Sequence, residues 1–403
     1  GDCVNYIFYP SHLKGQVDLP SSKSLSHRRI IAGMLSKREM VLSHVLKCDD
    51  TIATLEALKA LGGQYQWQNQ NLWLDGRRLF HADKPCMCVK ASASTLRFLI
   101  PICLTQAGTY VFEMADSLAR RSIVPYIEAL KGQVTFVYQG HRLIVTGKLT
   151  GGHYVLDGSS SSQFISGMLM ALPLLNQDSI LTIQNGRVSK PYIALTTSIL
   201  KAAHLKIEQH QETYHISGFQ SYRFEDTLNE YDASSLAFLA VANYLGHQIS
   251  WQNFETQYQA DAKIFEILDE IKTHDISINV KDMPDLVPIL SLALALSPYR
   301  YELTHAKRLK DKESNRLEST YLALKAMGAD IQMTEDGLMI RGVKKLKGAQ
   351  ISSYQDHRIA MMVAIAASVA EGETVLLDGD CVAKSWPEFY HDYQMLGGEM
   401  HEL

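Results

Sequence analysis

Cations recur in this sequence where apolar segments begin. Lys23 and Arg28 open "PSSKSLSHRRIIAGML", Arg97 stands in "ASASTLRFLIPICL", and Arg358 precedes the apolar run of "SYQDHRIAMMVAIAASVA". Arg120 and Arg121, Lys190, Lys312 and Arg316, and Lys384 lie in polar stretches ahead of a second set of helical segments. Any one of these could cap or solvate a helix, but so many at equivalent places describe a polyanion site. Serines reinforce it: Ser22 and Ser24, Ser92 and Ser94, and the run Ser159 to Ser162 before Gln163. Serine is a good helix cap, yet four in a row exceed what capping needs and suit hydroxyl and phosphate recognition. Two carboxylates offer acid–base chemistry: Asp285 at the start of an apolar segment, and Glu313 beside Lys312 in "RLKDKESNRL". Asp285 can also be read as a cap, and Glu313 as an i, i+3 partner of Arg316. Surrounding cations would keep such carboxylates ionised and basic groups close by.

The elements that must position these residues form a repeat. "SYQDHRIAMMVAIAASVA" lacks the polar face of a surface helix, so it predicts a buried one whose charged start opens onto something inside the protein. Similar segments start at Ser22, Ser92, Ser161, Asp232, Asp285 and Asp356, at steps of 70, 69, 71, 53 and 71 residues. Between them lie half-exposed helical patterns such as "DDTIATLEALKALGG" and "KPYIALTTSILKAAH", most running into β-rich stretches. The unit is a buried helix, strands, an amphipathic helix, then strands, and it occurs six times. This predicts two domains of three units each: one of residues 20–227, the other of residues 1–19 with 228–403. The polar "SYRFEDTLNEY" (221–231) is the expected crossover, and residues 1–19 read as a strand without a helix. Buried helices would aim their N-termini at a cleft between the domains. Each end offers an anion only ~0.3–1 kcal/mol, so side-chain cations must add to them.

Composition narrows the class. The 403 residues suffice for two or three domains, and 46% hydrophobic with 20% charged residues describe a globular protein. The longest apolar runs, 359–370 and 286–297, are too short to span a bilayer. No stretch reads as a signal peptide, and Gly1 in place of Met reads as a processed or engineered start. A net charge of −4 provides no global field for nucleic acid, so anion binding must be local. Six cysteines include a CxC pair at 86 and 88, but no zinc ribbon and no CxxC. His81 with Cys86 and Cys88 is a conceivable metal set; reduced thiols of a cytosolic protein are the preferred reading, with no metal.

The motifs "LPSSKSLSHR", "SSSQF", "VSKPYI", "DASSLAF", "RLKDKESNRL", "YQDHRIAM" and "CVAKSWPEFY" run in order from residue 19 to 390. Together they resemble the 5-enolpyruvylshikimate-3-phosphate synthases (3-phosphoshikimate 1-carboxyvinyltransferases), enolpyruvyl transferases. The resemblance implies an α/β fold of two domains, each of three βαβαββ units with pseudo-threefold symmetry, an inside-out α/β barrel with the active site in the interdomain cleft. It also implies transfer of the enolpyruvyl group of phosphoenolpyruvate to the 5-hydroxyl of shikimate 3-phosphate, with release of phosphate and no cofactor. By the same resemblance Lys23, Ser24 and Arg28 lie where the two substrates meet. Ser161, Ser162, Gln163, Ser189 and Tyr192 bind shikimate 3-phosphate, and Gln163 contacts both substrates. Arg121, Arg316, Arg358 and Lys384 hold the phosphate and carboxylate of phosphoenolpyruvate, with Lys23 and Ala93 beside it. Asp285 faces the 4- and 5-hydroxyls, and Lys312 and Glu313 handle protons. The implied partners are these two substrates only, with neither nucleic acid nor membrane, in a cytoplasmic monomer.

The chain departs from the family pattern in places. Where the family reads G-N-A-G-T-A-M-R this chain has "KASASTLR" (90–97), so Ala91 replaces an Asn and Ala93 a Gly. The added methyl of Ala93 would intrude on the pocket, and the expectation is that substrate fits while the longer occupant glyphosate is disfavoured. Ser122, Asn315 and Tyr231 stand for the usual Pro, Asp and Gly, and the Arg120–Arg121 pair leaves open which arginine is the ligand. Two rival readings remain. A UDP-N-acetylglucosamine enolpyruvyl transferase would want a Cys near residue 115, where "EMADSLARR" has none. A catalytically weakened anion-binding relative would fit the altered 90–97 motif alone.

Overall fold

The computed structural model describes residues 3–69, 71–226, 233–251 and 263–403. The chain divides into two compact units, Ser21–Glu230 and Gly1–Pro20 with Tyr231–Leu403. The repeat start at Asp232, the substitution at Tyr231 and the end of the 221–231 crossover lie outside the described residues.

In the unit Ser21–Glu230, three apolar helices run through the interior: Lys23–Leu35, Ala93–Cys103 and Ser162–Ala171. Their starts are fixed by the serines that the sequence offered as caps. Ser22 Oγ accepts from the Leu25 N–H at 3.1 Å, Ser92 Oγ from Thr95 at 3.3 Å and Ser161 Oγ from Gln163 at 3.2 Å. Strands His153–Asp157 and Ser179–Gln184 pair in parallel, and the hairpin Ile207–His210 and Thr213–Ile216 extends the sheet antiparallel. Cys86–Lys90, Gly108–Met114, Val134–Gln139 and Arg142–Gly147 repeat that order, and Glu39–Leu42, Asn71–Asp75 and Gln64–Gln68 form a smaller third sheet.

Pro101 lies inside the helix Ala93–Cys103 and cannot donate to the carbonyl four residues back, that of Arg97. The buried Tyr126 hydroxyl takes over, donating to the Arg97 carbonyl at 2.5 Å. The helices meet closely at Gly167, where a methyl would collide with the Tyr126 hydroxyl and the Arg97 carbonyl. A proline, a tyrosine and a glycine therefore fix one junction.

The second unit repeats the scheme around Ala233–Tyr244, Val287–Ala295 and His357–Val369. Ile276–Asn279 and Arg300–Thr304 are parallel and carry the hairpin Asp330–Met333 and Leu338–Arg341. The first residues of the chain supply two strands where the sequence suggested one, because Pro10 separates two short extended pieces. Tyr6–Phe8 pairs antiparallel between Thr374–Leu377 and Met400–Glu402, and Lys14–Val17 pairs in parallel with Gln248–Trp251. Of the amphipathic helices, Asp49–Ala60, Lys190–Ala202 and Arg316–Ala326 are full length. Val124–Ala129, Ile264–Glu270 and Phe389–Met395 are shorter than their patterns, the last beginning only after Pro387.

His247 ties the start of the Lys14–Val17 strand to the helix His357–Val369. The Leu13 N–H donates to Nδ1 at 3.1 Å, and Nε2 lies 2.8 Å from the Ser368 hydroxyl, which itself donates to the Ile365 carbonyl. Nε2 is then the donor and the ring is neutral. Burial, with His12 nearby, pulls its pKa down to about 4. The folded state binds this proton less readily than the unfolded chain, so its contribution is complete above about pH 6.5 and is lost as pH falls toward about 4. Unfolding midpoints should fall across this interval, and His247→Asn should flatten the slope while lowering stability at neutral pH. Denaturant melts between pH 7.5 and 4.5 measure both.

Candidate active site

In the unit Ser21–Glu230, Lys23, Ser24, Ala93, Ser161, Ser162 and Gln163 lie at the starts of the three interior helices, whereas Ser189 and Tyr192 open the helix Lys190–Ala202. Lys23 Nζ donates to Asp50 Oδ2 at 3.1 Å, and Asp50 is itself buried. Arg28 is 2% exposed, and burial pulls its pKa down to about 10. Its Nε donates to Thr196 Oγ1 at 2.7 Å and its Nη1 to the Ser24 carbonyl at 2.8 Å. Nη2 reaches Ser166 and the Tyr192 carbonyl, each at 3.4 Å, and the guanidinium stacks over Phe98. Arg28 thus braces Ser24 and Tyr192.

Gln163 lies between two donors and acceptors that settle its orientation. Arg97 only donates, so the Gln163 oxygen must face its Nη1, at 3.0 Å, and the amide nitrogen then donates to Ser94 Oγ at 2.8 Å. Arg97 is held over the Phe164 ring and bonds the Ser122 carbonyl at 3.2 Å. Ser161 caps its helix, Ser162 is buried just inside it, and Ser159 turns away to Asp157. Ser189 adopts a left-handed conformation (φ 51°, ψ 48°) immediately before the helix Lys190–Ala202. Ala93 is buried as the first residue of its helix. Of the two adjacent arginines, Arg120 is exposed, whereas Arg121 is half-buried with a shielded Nε.

In the other unit, Arg316 is almost wholly buried and ringed by carboxylates. Its Nη1 donates to Asp285 Oδ1 at 2.7 Å, Nη2 to Glu313 Oε2 at 2.6 Å, and Nε to Asp356 Oδ2 at 2.9 Å. Nη2 also reaches Asp356 Oδ1 at 3.2 Å. Arg358 Nη2 lies 4.0 Å from Asp285 Oδ2, and Lys384 Nζ lies 4.0 Å from Glu313 Oε1. Burial pushes the Asp285 carboxyl up, but Arg358, Arg316 and Lys312 outweigh it and hold the group well below the ordinary carboxylate range. Burial likewise works against the Arg316 charge, and Asp356, Glu313 and Asp285 overcome it.

One expectation needs correction. Asp285 does not start the helix: it sits in a 3-10 turn, Pro284–Leu286, and the α-helix begins at Val287. Prolines at 284 and 288 shift the start, and the Asp285 carboxylate turns to Arg316 instead of capping. Lys384 ends another 3-10 turn, Gly379–Lys384, ahead of the helix Phe389–Met395, in keeping with its expected place. Asp356 and Asp50, the counter-ions of Arg316 and Lys23, were not assigned to the site from the sequence, whereas Arg97 and Ser94 stood among its cations and serines without a substrate assigned to either. The N-cap position of Asp356 was visible, but its ion pair joins residues 40 apart and left no local pattern. Among the described residues, no group of three or more His, Cys, Asp and Glu could hold a metal ion, and all six cysteines are unpaired.

A model of the EPSP synthase (3-phosphoshikimate 1-carboxyvinyltransferase) family matches residues 8–393. The chain belongs to the EPSP synthase family. Curated relatives called 3-phosphoshikimate 1-carboxyvinyltransferase include one from Clostridium perfringens, 36% identical over 97% of this chain and 98% of its own length. Another, from Clostridioides difficile, is 35% identical over 98% of each chain. Among solved structures, an EPSP synthase from Acinetobacter baumannii superposes with a TM-score of 0.82 over 99% of this chain at 22% identity, which supports the fold. The fold is therefore that of the enolpyruvyl transferases, and the family's reaction is enolpyruvyl transfer from phosphoenolpyruvate to shikimate 3-phosphate in the shikimate pathway of aromatic amino acid biosynthesis. The comparisons lend no support to the weakened anion-binding relative.

Proposed function

We propose that this chain carries out that transfer by addition and elimination, with the residues described above in specific roles. Lys23, Ser24, Arg28, Ser161, Ser162, Gln163, Ser189, Tyr192, Asp285 and Lys312 bind shikimate 3-phosphate, with Ser161, Ser162 and Ser189 serving its phosphate. Arg121, Arg316, Arg358 and Lys384, with Lys23, Gln163 and Ala93, receive phosphoenolpyruvate. The observation that carries the reading is the Arg316 cluster: Asp285 and Glu313 are held within 2.7 Å of one buried guanidinium with Arg358 and Lys384 beside them. It combines acid–base groups with the cations that a small trianion requires.

In this mechanism the substrate 5-hydroxyl attacks C2 of phosphoenolpyruvate and loses its proton to Asp285 or Lys23. C3 gains a proton from Glu313, with Lys312 beside it, turning the methylene into a methyl group. The tetrahedral intermediate then expels phosphate while the methyl returns a proton, leaving the enol ether. The cations orient the reactants and stabilise the leaving phosphate. The reading extends to a cytoplasmic monomer acting without a cofactor on these two substrates. No helix among the described residues is long and apolar enough to cross a membrane.

Purified protein should release phosphate only when both substrates are present. No release above background at saturating concentrations would refute the assignment. Asp285→Ala should lower turnover by roughly 10²-fold or more while changing the dissociation constant of shikimate 3-phosphate far less. Lost binding with unchanged turnover would remove Asp285 from its role.

Ala93 bears on inhibitor selectivity. Its methyl stands at the start of the helix where the family pattern has Gly, so glyphosate should inhibit this chain less than a relative with Gly there. Ala93→Gly should restore sensitivity with little change in KM for phosphoenolpyruvate. Superimposable inhibition curves for the two forms would dismiss the idea.

A further inference from the structure

A guanidinium has five N–H donors. In Arg316, Nε–H and one Nη2–H serve Asp356, the other Nη2–H serves Glu313, and one Nη1–H serves Asp285. A carboxylate or phosphate bound bidentately needs two parallel N–H groups, so no such anion can engage Arg316 while all three residues keep their bonds.

The three carboxylates are not equivalent. The Asp356 side chain is 0% exposed, whereas Glu313 is 18% and Asp285 25% exposed. Asp356 is also held from outside the ion pair: the Arg358 N–H donates to Oδ1 at 3.0 Å and the Ser314 hydroxyl to Oδ2 at 3.0 Å. Asp285 and Glu313 each have a second cation waiting at 4.0 Å, Arg358 and Lys384 respectively. A short rotation would move either carboxylate from one cation to another without leaving a buried charge unpaired.

We infer that Asp285 and Glu313 are stand-ins occupying the face of Arg316 that an anionic group of phosphoenolpyruvate takes, so that binding is an exchange of carboxylates during which Asp356 stays and positions the guanidinium. This rests on the proposed function and adds to it a competition internal to the site.

The competition can be measured with phosphoenolpyruvate as the probe, by calorimetric titration of the full chain and three variants. Glu313→Gln, Asp285→Asn and Asp356→Asn each remove one negative charge beside Arg316. A general charge effect would tighten binding in all three. The exchange predicts binding roughly five-fold or more tighter in Glu313→Gln and Asp285→Asn, and about ten-fold weaker in Asp356→Asn. Asparagine remains a good helix cap, so Asp356→Asn keeps the start of its helix. Thermal melts identify any variant that does not fold, and the other stand-in variant then carries the test. Unchanged or weaker binding in folded stand-in variants, or tightening in all three, overturns the exchange. Failure of the unsubstituted chain to bind phosphoenolpyruvate either alone or with shikimate 3-phosphate present overturns the proposed function as well.

Discussion

The Arg316 guanidinium is 1% exposed, and a charge so far from water survives only if opposite charges and good hydrogen-bond geometry replace its hydration. Three carboxylates provide this, and they come from three separate places in the chain: Asp285 in a 3-10 turn, Glu313 ahead of the helix Arg316–Ala326, and Asp356 at the cap of the helix His357–Val369. The three local structures are thereby fixed against one another. The carboxylates would in turn repel each other strongly, were Arg358, Lys384 and Lys312 not also present. The result is a nearly balanced array, four cations against three anions, in which the neighbouring charges hold Asp285 and Arg316 ionised against burial. Such an array gives little net stability, since desolvation consumes most of the Coulomb gain. What it supplies is a set of charges already oriented before a ligand arrives.

The other unit meets the same requirement differently. Arg28 and Arg97 are buried with no carboxylate among their named partners; they bond hydroxyls and carbonyls and stack on Phe98 and Phe164. Neutral acceptors do not offset the burial of the Arg28 charge, and its pKa is lowered. The aromatic faces offset part of that penalty, by about 1 kcal/mol each. The position of Arg97 depends further on Pro101, whose missing N–H leaves the Arg97 carbonyl to Tyr126, and on Gly167, whose lack of a side chain lets Tyr126 reach it. The contact from Arg97 to Gln163 is thus set by packing one helical turn deeper.

How much of this was legible follows from the range of each interaction. The interior helices could be located because burial on all sides leaves an unbroken apolar signature, and their serine caps lie within three residues of the groups they bond. The Glu313–Arg316 pair was legible for the same reason, as an i, i+3 contact. Prolines moved the start at Asp285 and shortened the helix before Met395, local effects that the apolar pattern alone does not register. Asp356 and Asp50 were overlooked as counter-ions because their partners are 40 and 27 residues away, a separation that only the folded topology closes. The left-handed backbone at Ser189 is likewise invisible in a serine codon's side chain.

Charge count explains why the overlooked residues matter. A list of cations at helix starts predicts a site that attracts anions without discrimination, because nothing in such a list opposes binding. Asp50, Asp285 and Glu313 oppose it: each takes up a cation that an arbitrary anion must then win back. An anion with a single charge and poor geometry gains too little to displace a 2.6–2.7 Å charge-assisted bond, whereas a ligand bearing several charges on rigid arms can replace two such bonds together. Selectivity for a compact polyanion therefore arises from the acidic residues as much as from the basic ones. The fold's contribution is to bury one acid, Asp356, beyond exchange while leaving the other two within reach of solvent.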